Sequence, residues 1–489
     1  MLLATVAGSG LALLDATAIN VALPALGEDL GAGVAGLQWT LNGYTLTLTA
    51  LLLLGGSLAD RFGRRRIFLV GVCWFAGASL LCGIAPTLGV LVAARALQGV
   101  GGALLTPVSL AILQASFAPG DRARAVGAWS GLSGIAAAVG PLLGGWLIAA
   151  LSWRWIFLIN LPLAAMVLAV AARRVPETRD PASPRGFDLA GAVLAAAGLA
   201  GVTWALIEAG ERGASLTVLA VGLTGVVALG AFIGIERSSR HPMLPLSIFS
   251  SRQFASANLV TLAVYGGMSG MFFLLVIFLQ QVGGYSPLAA GAALIPVTAL
   301  MLMLSARAGV FAERTGPRLP MTVGPLLMAA GLLLMARFGA GLSYMAAVLP
   351  AVVVFGLGLS LTVAPLTATV LAAADQRHSG IASAVNNAVA RGAGLLAVAV
   401  LPMLAGLTGD AYLDPRVFTA GFRAAMVISA GLVGAGGILA ALTIRNQIAG
   451  VADACPATRM TRQRYCAVDG PPIEPSRMPA EAAVPKDER

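Results

Sequence analysis

Two charged side chains lie inside otherwise apolar runs of this sequence and are the residues best suited to chemistry. Asp15 stands in L-L-D-A-T-A-I-N-V-A-L-P, and Arg95 stands in A-R-A-L-Q-G-V-G-G-A. A charge at the centre of a bilayer costs about 2.5–3.5 kcal/mol on insertion scales, so each side chain must face a partner or a cavity rather than lipid. A carboxyl group removed from water takes up a proton more readily, which suits Asp15 to proton transfer. The alternative is a buried carboxyl that only bonds to a neighbouring helix.

Arg95 needs compensation because a guanidinium is permanently charged. Asp15 is the acidic residue well inside the same part of the chain, so it is the predicted partner of Arg95. Backbone carbonyls are the alternative acceptors. The sequence thus predicts a proton-coupling pair or, on the other interpretation, a purely structural one.

A second set of polar or polarisable side chains lies within apolar runs and predicts a substrate cavity. Thioethers and aromatic rings adapt to ligands of varied shape, although such residues are more often ordinary packing. Arg391 is deep in its run and would attract an anionic or neutral polar substrate, or else pair with carbonyls. The candidates are Asn20, Asn42, Gln98, Gln114, Met268, Phe272, Asn386, Asn387 and Arg391.

The segment from Gly56 to Arg66 reads G-S-L-A-D-R-F-G-R-R-R and places four arginines between two apolar runs. Arginine next to a membrane span resists translocation, so this segment is predicted to face the cytoplasm. Its glycines permit a tight turn, and Asp60 is placed to pair with a guanidinium or to face a helix N-terminus. The arginines alternatively do no more than set topology.

Composition identifies the class of protein. The chain has 489 residues, of which 58% are hydrophobic and 11% are charged. Soluble globular proteins carry about 25% charged residues, so this is an integral membrane protein. The net charge is +10, but the arginines lie in separate short loops, which argues against nucleic-acid binding. Four cysteines without metal-ligand spacing imply neither a metal site nor a disulfide framework.

The elements that position these side chains are about fourteen membrane helices, each long enough to cross about 30 Å of hydrocarbon. Basic residues fall in alternate loops, which predicts an even helix count with both termini in the cytoplasm. We therefore expect an all-α integral membrane protein with residues 1–172 as an N-terminal six-helix bundle and 253–445 as a C-terminal one. Residues 173–252 would hold cytoplasmic linkers and two extra helices, and 446–489 a disordered cytoplasmic tail. The predicted spans are 2–24, 37–59, 67–85, 87–115, 126–150, 155–172, 188–209, 215–235, 255–281, 287–312, 320–338, 342–372, 380–405 and 420–444.

Several of these motifs together resemble the major facilitator superfamily. The segment at Gly56 matches G-x-L-x-D-R-x-G-R-[KR]-x, and the segment that begins at Arg95 matches R-x-x-Q-G-x-G-x-A. A third match, G-x-x-x-x-x-x-x-x-G-P-x-x-G-G, comprises Gly131, Gly140, Pro141, Gly144 and Gly145. The stretch W-R-W-I-F-L-I-N-L-P at 153–162 resembles the same position in fourteen-span drug:proton antiporters of the EmrB/QacA type. The resemblance covers nearly all of residues 11–445.

The resemblance implies a fold and several residue roles. The fold is two six-helix bundles with an extra two-helix hairpin and a substrate cavity at the midplane. Arg95 would take part in proton coupling, and the glycine-proline motif marks exporters and antiporters. The arginine-rich segment would act as a conformational latch through Gly56, Asp60, Arg61, Gly63, Arg64 and Arg65. One departure is that 287–312 holds no acid, while the thirteenth span offers Arg391, Asn386 and Asn387.

The expected function is a proton-coupled antiporter that exports drugs or other amphipathic molecules across a bacterial inner membrane. Its partners would be the small-molecule substrate, protons and the lipid bilayer, with no nucleic acid, and it would act as a monomer. No cofactor is expected. The sequence contains no P-loop, so ATP is not expected to drive transport directly. A dedicated exporter of one antibiotic or metabolite is the alternative within transport, and a non-transporting sensor or scaffold is the alternative outside it. An enzyme is disfavoured because no nucleophile, metal or acid–base constellation is evident.

Overall fold

The structure is a computed structural model and describes residues 2–117, 119–179, 188–239, 242–374, 379–409 and 414–446. These residues form helices and connecting segments, and no strand occurs among them. Fourteen helices are long and apolar enough to cross a membrane, which confirms the predicted all-α fold and helix count. The predicted tail lies outside the described residues from residue 447 onward.

The N-terminal half contains six membrane crossings. The short helix α6 and the longer α7 together make the sixth crossing, over Trp155–Arg174. The helices are α1 (Leu2–Leu30), α2 (Val34–Phe62), α3 (Arg64–Gly83), α4 (Leu88–Ser116), α5 (Pro119–Ala150), α6 (Trp155–Leu158) and α7 (Asn160–Arg174).

A helical hairpin and a second set of six crossings follow. Asp188 caps the hairpin by accepting a 2.7 Å hydrogen bond from the Gly191 backbone N–H. The hairpin consists of α8 (Leu189–Arg212) and α9 (Leu216–Ser238). The C-terminal helices are α10 (Arg252–Gln281), α11 (Pro287–Ala292), α12 (Ile295–Thr315), α13 (Arg318–Met335), α14 (Leu349–Ala372), α15 (Ser379–Leu404) and α16 (Pro415–Thr443).

Successive crossings alternate in direction, so the connections lie on two faces of the molecule. We call the face that holds the α2–α3 junction at Gly63 and the α7–α8 connection the arginine-rich face. The face that holds the α1–α2 turn at 31–33 and the α15–α16 connection is the opposite face. Each side chain can therefore be located by its position along its helix.

The buried apolar core is continuous between the two halves only toward the opposite face. One cluster of buried residues joins the C-terminal half to the parts of α1, α2, α4 and α5 that approach the opposite face, including Ile19, Leu37 and Leu147. The second cluster comprises residues of the N-terminal half such as Phe68, Val108 and Val167. The halves are thus packed together at the opposite face and lack a shared buried core at the arginine-rich face in the described chain.

Polar contacts agree with this closure. The Gln38 Nε2 atom on α2 donates to the carbonyls of Val398 at 2.6 Å and Ala399 at 3.1 Å on α15. The Gln280 Nε2 atom on α10 donates to the Val21 carbonyl on α1 at 3.1 Å. These residues lie in the half of each helix nearer the opposite face. The described structure is consequently closed at the opposite face.

The extra hairpin packs at the seam between the halves. Helix α8 contacts α2 of the first half and α15 of the second, whereas α9 packs mainly on α8. At the opposite face the Ala35 backbone N–H donates to Glu211 Oε1 at 3.3 Å. Apolar side chains of α9 point outward, and Leu216 is 85% exposed. Helix α9 therefore presents an apolar surface that suits lipid.

Candidate functional site

The two predicted charged residues meet inside the N-terminal half. The Asp15 Oδ2 atom on α1 lies 2.5 Å from Nη1 of Arg95 on α4. Both side chains are essentially inaccessible to solvent, with 0% and 1% exposure. The Arg95 Nε atom also donates to the Thr40 carbonyl on α2 at 3.1 Å. The predicted partners of Arg95, a carboxylate and a backbone carbonyl, are both confirmed.

Two amides complete the coordination of the Asp15 carboxylate. Its Oδ1 atom accepts from Nε2 of Gln98 at 2.9 Å and from Nδ2 of Asn160 at 3.0 Å. The Ser79 hydroxyl on α3 accepts from the same Gln98 amide at 2.8 Å. The Gln98 Oε1 atom in turn accepts from Arg95 Nη1 at 2.6 Å. We call Asp15, Ser79, Arg95, Gln98 and Asn160 the buried polar network, which joins α1, α3, α4 and α7.

Aromatic rings enclose the guanidinium in this network. The Cζ atom of Arg95 lies 4.5 Å from the centroid of the Tyr44 ring and 5.7 Å from that of Phe157. A ring face attracts a cation, and more so away from water. The Nη2 atom of Arg95 is buried and has no hydrogen-bond partner. The guanidinium is therefore held by one carboxylate, one carbonyl, one amide and two rings, with one donor group unused.

The charges of Asp15 and Arg95 balance each other inside this network. Asp15 accepts hydrogen bonds from three donors, on Arg95, Gln98 and Asn160. Protonation would remove the counter-charge of Arg95 and force the hydrogen bonds to rearrange. Since the pair is fully buried in this state, proton exchange with water requires a movement of the surrounding helices. The network thus links α1, α3, α4 and α7 through one buried ion pair and its hydrogen bonds.

The glycine motif of α5 lies against the segment of α1 that carries Asp15. A Cβ atom added at Gly140 would lie 3.0 Å from the Leu14 carbonyl oxygen, and one added at Gly144 would lie 3.0 Å from the Ala18 carbonyl oxygen. Small residues permit this close approach of two helix backbones. The position of α1 around Asp15 is therefore defined directly by α5.

The same motif crosses the seam to the C-terminal half. A Cβ atom at Gly145 would lie 2.7 Å from the Leu288 Cα atom and from the Pro287 carbonyl oxygen on α11. The nearest atom to a Cβ at Gly291 would be the Pro141 carbonyl oxygen. Helix α5 thus packs on α1 and on the other half through adjacent positions. The surroundings of Gly131 lie outside the described part of the structure.

The arginine-rich segment is organised by acceptors from two directions. The Arg64 Nη2 atom lies 2.7 Å from Asp60 Oδ1, as the sequence predicted for Asp60. The Glu177 carboxylate, in the segment after α7, accepts from the backbone N–H groups of Arg65 at 3.1 Å and Arg66 at 3.2 Å. These N–H groups lie in the first turn of α3, where the helix dipole favours an anion.

The turn before α3 depends on a glycine. Gly63 has a φ of 110°, which a residue with a Cβ atom rarely adopts, and that Cβ would also meet the Glu177 carboxylate. The Arg65 guanidinium donates to the Ala172 carbonyl at the end of α7. The surroundings of Gly56 are looser, with the nearest atom to an added Cβ on Pro107 at 3.8 Å. Arg61 lies with its guanidinium 5.4 Å from the Phe62 ring centroid.

The predicted substrate residues do not form one set. Gln98 belongs to the buried polar network, and Asn42 is 1% exposed within α2. Asn386 donates to Thr261 Oγ1 at 2.8 Å and to Asn258 Oδ1 at 3.1 Å, so it joins α15 to α10. Gln98 and Asn386 are thus bonded to neighbouring helices, whereas the Asn42 side-chain nitrogen is buried without a hydrogen-bond partner.

The remaining substrate candidates are more accessible. Asn20 is half-buried with its amide bonded to its own helix at Ala16, and Asn387 is exposed and bonded to the Ser383 carbonyl. Met268 and Phe272 are half-buried and pack against the larger core cluster. The side chain of Gln114 lies outside the described part of the structure.

Four contributors to these sites were not identified from the sequence: Ser79, Asn160, Tyr44 and Glu177. Asn160 lies in the quoted stretch at 153–162, but an asparagine in such a run has no partner until the helices are packed. Ser79 and Tyr44 carry no local signal. Among the described residues, no group of three or more histidine, cysteine or carboxylate side chains is placed to hold a metal.

Comparison with known proteins extends these observations. The Major Facilitator Superfamily model matches residues 5–398. The tetracenomycin C resistance and export protein of Streptomyces glaucescens is 34% identical over 416 residues, which are 84% of this chain and 77% of that protein. The multidrug resistance protein Stp of Mycobacterium tuberculosis is 35% identical over 336 residues, 68% of this chain and 62% of that protein.

A solved structure shares the fold. It is the crystal structure of a bacterial homolog to the human lysosomal transporter Spinster, in an inward-facing and unoccupied conformation. The TM-score is 0.65 at 17% sequence identity, and the match covers 91% of this chain and 96% of that one.

Proposed function

The chain belongs to the Major Facilitator Superfamily, and we propose that it is a proton-coupled antiporter that exports drugs or other amphipathic small molecules. Relatives named for multidrug resistance and for antibiotic resistance and export support the export of such compounds. The proton-coupled part of the proposal rests on the buried polar network around Asp15.

The network supports proton coupling through its location and its charge balance. Asp15 is the counter-ion of Arg95, and no water reaches either side chain in this state. Uptake of a proton by Asp15 removes the ion pair, so Arg95 must find another acceptor and α1 and α4 must shift. Because α5 packs on α1 beside Asp15 and on α11 across the seam, such a shift reaches the contact that closes the opposite face.

The orientation follows from the positive-inside rule. We propose that the arginine-rich face is cytoplasmic, that both termini lie there, and that the protein resides in the bacterial inner membrane as a monomer. The described state would then be open to the cytoplasm, where a substrate for export enters. Asp60 with Arg64, and Glu177 with the start of α3, would hold the latch in this state.

The proton gradient is sufficient for useful export. One elementary charge that crosses a 100 mV potential releases about 2.3 kcal/mol. A tenfold concentration ratio corresponds to about 1.4 kcal/mol. One proton per cycle therefore supports an outward gradient of more than tenfold for a neutral substrate.

A dedicated exporter of one antibiotic or metabolite is a second candidate, because the relative from Streptomyces glaucescens is named for a single compound. The two candidates differ in breadth rather than mechanism. A panel of unrelated compounds tested in the same cells distinguishes them, since a dedicated exporter moves one chemical series only.

The experiment is efflux from a pump-deficient bacterium that expresses the wild type, Asp15→Asn or Glu28→Gln, with and without a protonophore. Ethidium, which is cationic, and a panel of antibiotics that includes anionic compounds serve as substrates, and efflux of any one of them is sufficient. Glu28→Gln is the matched control because it removes one carboxylate from the exposed end of the same helix. We expect gradient-dependent efflux in the wild type and Glu28→Gln and its loss in Asp15→Asn. Undiminished proton-coupled efflux in Asp15→Asn, at equal membrane expression, would refute the role of Asp15.

A further inference from the structure

We infer that Arg391 is an anion-binding residue of the substrate site, and that the preferred cargo is an aromatic molecule with an acidic group such as a carboxylate or phenolate. The inference rests on the proposed export function and names the class of molecule exported. It depends on the position of Arg391, on its lack of a partner and on the side chains around it.

Arg391 lies near the middle of α15, far from both faces of the molecule. Its side chain is half-buried, and its Nε atom is enclosed without a hydrogen-bond partner. Among the described residues it makes no ion pair and donates no hydrogen bond to a carbonyl. A guanidinium stays charged at this depth, so its position is costly unless another group compensates the charge.

The protein does not supply that compensation in the described chain. The acids described in the C-terminal half are Glu313 and Asp414, and both lie near helix ends on the faces of the molecule. In the N-terminal half, Asp15 has both carboxylate oxygens occupied by Arg95, Gln98 and Asn160. No carboxylate of the described residues therefore compensates Arg391, which leaves its charge to solvent or to a bound anion.

Two phenols from different halves lie within electrostatic range of Arg391. Tyr44 is on α2 of the first half, and Tyr265 is on α10 of the second. Tyr44 also stacks on Arg95, with 4.5 Å between the guanidinium carbon and the ring centroid. An anion at Arg391 would thus lie one aromatic ring away from the buried polar network. This placement provides a short physical route between bound cargo and the proton-coupling pair.

The surroundings also suit an aromatic body. Helix α10 packs on α15, and its residues Tyr265, Met268 and Phe272 follow one another at helical spacing and are half-buried. The Phe272 ring also makes an edge contact with Phe355, with 6.2 Å between the centroids. Thioethers and rings pack against flat apolar molecules of varied shape. A guanidinium binds a carboxylate through two parallel hydrogen bonds and stacks on aromatic faces. An aromatic acid satisfies both parts of this surface, whereas an aromatic cation would be repelled by Arg391.

The test compares two xanthene dyes of the same ring system and opposite charge, anionic fluorescein and cationic rhodamine 123. Binding to the purified full-length protein in detergent is measured by fluorescence anisotropy. The variants are Arg391→Gln, which removes the charge, and Arg391→Lys, which retains it. Arg423→Gln is the control, because Arg423 donates to the Phe338 carbonyl at 2.8 Å, away from Arg391.

We expect the wild type to bind fluorescein at least about tenfold more tightly than rhodamine 123. One charge-assisted hydrogen bond contributes enough binding free energy for a difference of about tenfold in affinity. Arg391→Gln should lose about tenfold or more for fluorescein and should bind rhodamine 123 equally or better. Arg391→Lys should retain part of the preference for fluorescein, and Arg423→Gln all of it. Equal loss of both dyes in Arg391→Gln would overturn the inference, as would a wild type that prefers rhodamine 123 or binds neither dye.

The binding experiment uses no proton gradient, so its failure and that of the proposed function are distinguishable. A protein that binds fluorescein through Arg391 but shows no gradient-dependent efflux refutes proton-coupled export only. A protein that exports cations in a gradient-dependent manner, with no charge preference in binding, refutes the anion site only.

Discussion

At the scale of single residues, the buried pair of Asp15 and Arg95 is the feature with the largest energetic consequence. Removing two charges from water is expensive, and the mutual attraction of a buried pair offsets that cost only when further hydrogen bonds satisfy the remaining atoms. Gln98 and Asn160 provide those bonds to Asp15, and Thr40 provides one to Arg95. The loss of one partner should therefore cost more than the loss of both.

We predict that Arg95→Met destabilises the protein by about 3–5 kcal/mol, because it leaves the Asp15 carboxylate without its counter-ion. The double variant Asp15→Asn/Arg95→Met should be destabilised by less than the sum of the two single changes. The measurement is thermal unfolding of the purified variants in detergent.

The matched control for this prediction is Arg154→Met. Arg154 pairs with Asp29 at 2.7 Å, but the two side chains are 34% and 47% exposed. A pair so accessible to water should contribute less than about 1 kcal/mol. Similar losses from Arg95→Met and Arg154→Met would contradict the account of the buried network.

At the scale of helices, α5 determines how the Asp15 segment and the C-terminal half are placed. Gly140 and Gly144 allow α1 to approach, and Gly145 allows α11 to approach. Such contacts depend on the absence of a side chain, so even one methyl group there should push two backbones apart. Some helical glycines, such as Gly431, have no atom within 4 Å of an added Cβ, which makes a direct comparison possible.

We predict opposite effects for the same change at two helical glycines. Gly145→Ala should destabilise the protein by about 1–3 kcal/mol, since the methyl group overlaps the α11 backbone. Gly431→Ala on α16 should stabilise it by about 0.5–1 kcal/mol, because no atom lies within 4 Å of the added carbon and alanine favours the helix. Thermal unfolding midpoints in detergent measure both. A Gly145→Ala protein as stable as Gly431→Ala would show that the seam tolerates separation.

At the scale of the whole molecule, the two bundles share a buried apolar core toward the opposite face, and the extra hairpin packs against α2 and α15 at their seam. Export by alternating access requires the opposite face to open in the other state. The contacts that must break include the hydrogen bonds from Gln38 to the carbonyls of Val398 and Ala399. Side chains at this contact should therefore change accessibility during transport.

We predict that Ala399→Cys, at a position that is 0% exposed, is protected from a membrane-impermeant maleimide at rest. It should be labelled during substrate-driven turnover with a proton gradient. Glu28→Cys, at an exposed position of the same face, is the control and should be labelled under both conditions. The native cysteines are replaced by serine in both proteins. Rapid labelling of Ala399→Cys at rest would contradict closure of the opposite face.

Sequence alone determined the number of membrane spans and predicted that Arg95 needs a partner such as Asp15. Hydropathy identifies a span because each helix must satisfy its own backbone within the bilayer, which is a property of consecutive residues. A lone charge in such a run demands a partner for the same local reason. These inferences needed no knowledge of which helices are neighbours.

Only the tertiary structure decided how distant helices share their polar groups. It assigned Gln98 to the Asp15 network instead of a cavity and added Asn160 and Ser79. It left Arg391 without an ion-pair or hydrogen-bond partner among the described residues. It also located the extra hairpin at the seam and showed which face is closed. Those outcomes depend on side-chain contacts between helices far apart in the chain, and hydropathy and local spacing contain no information about such packing.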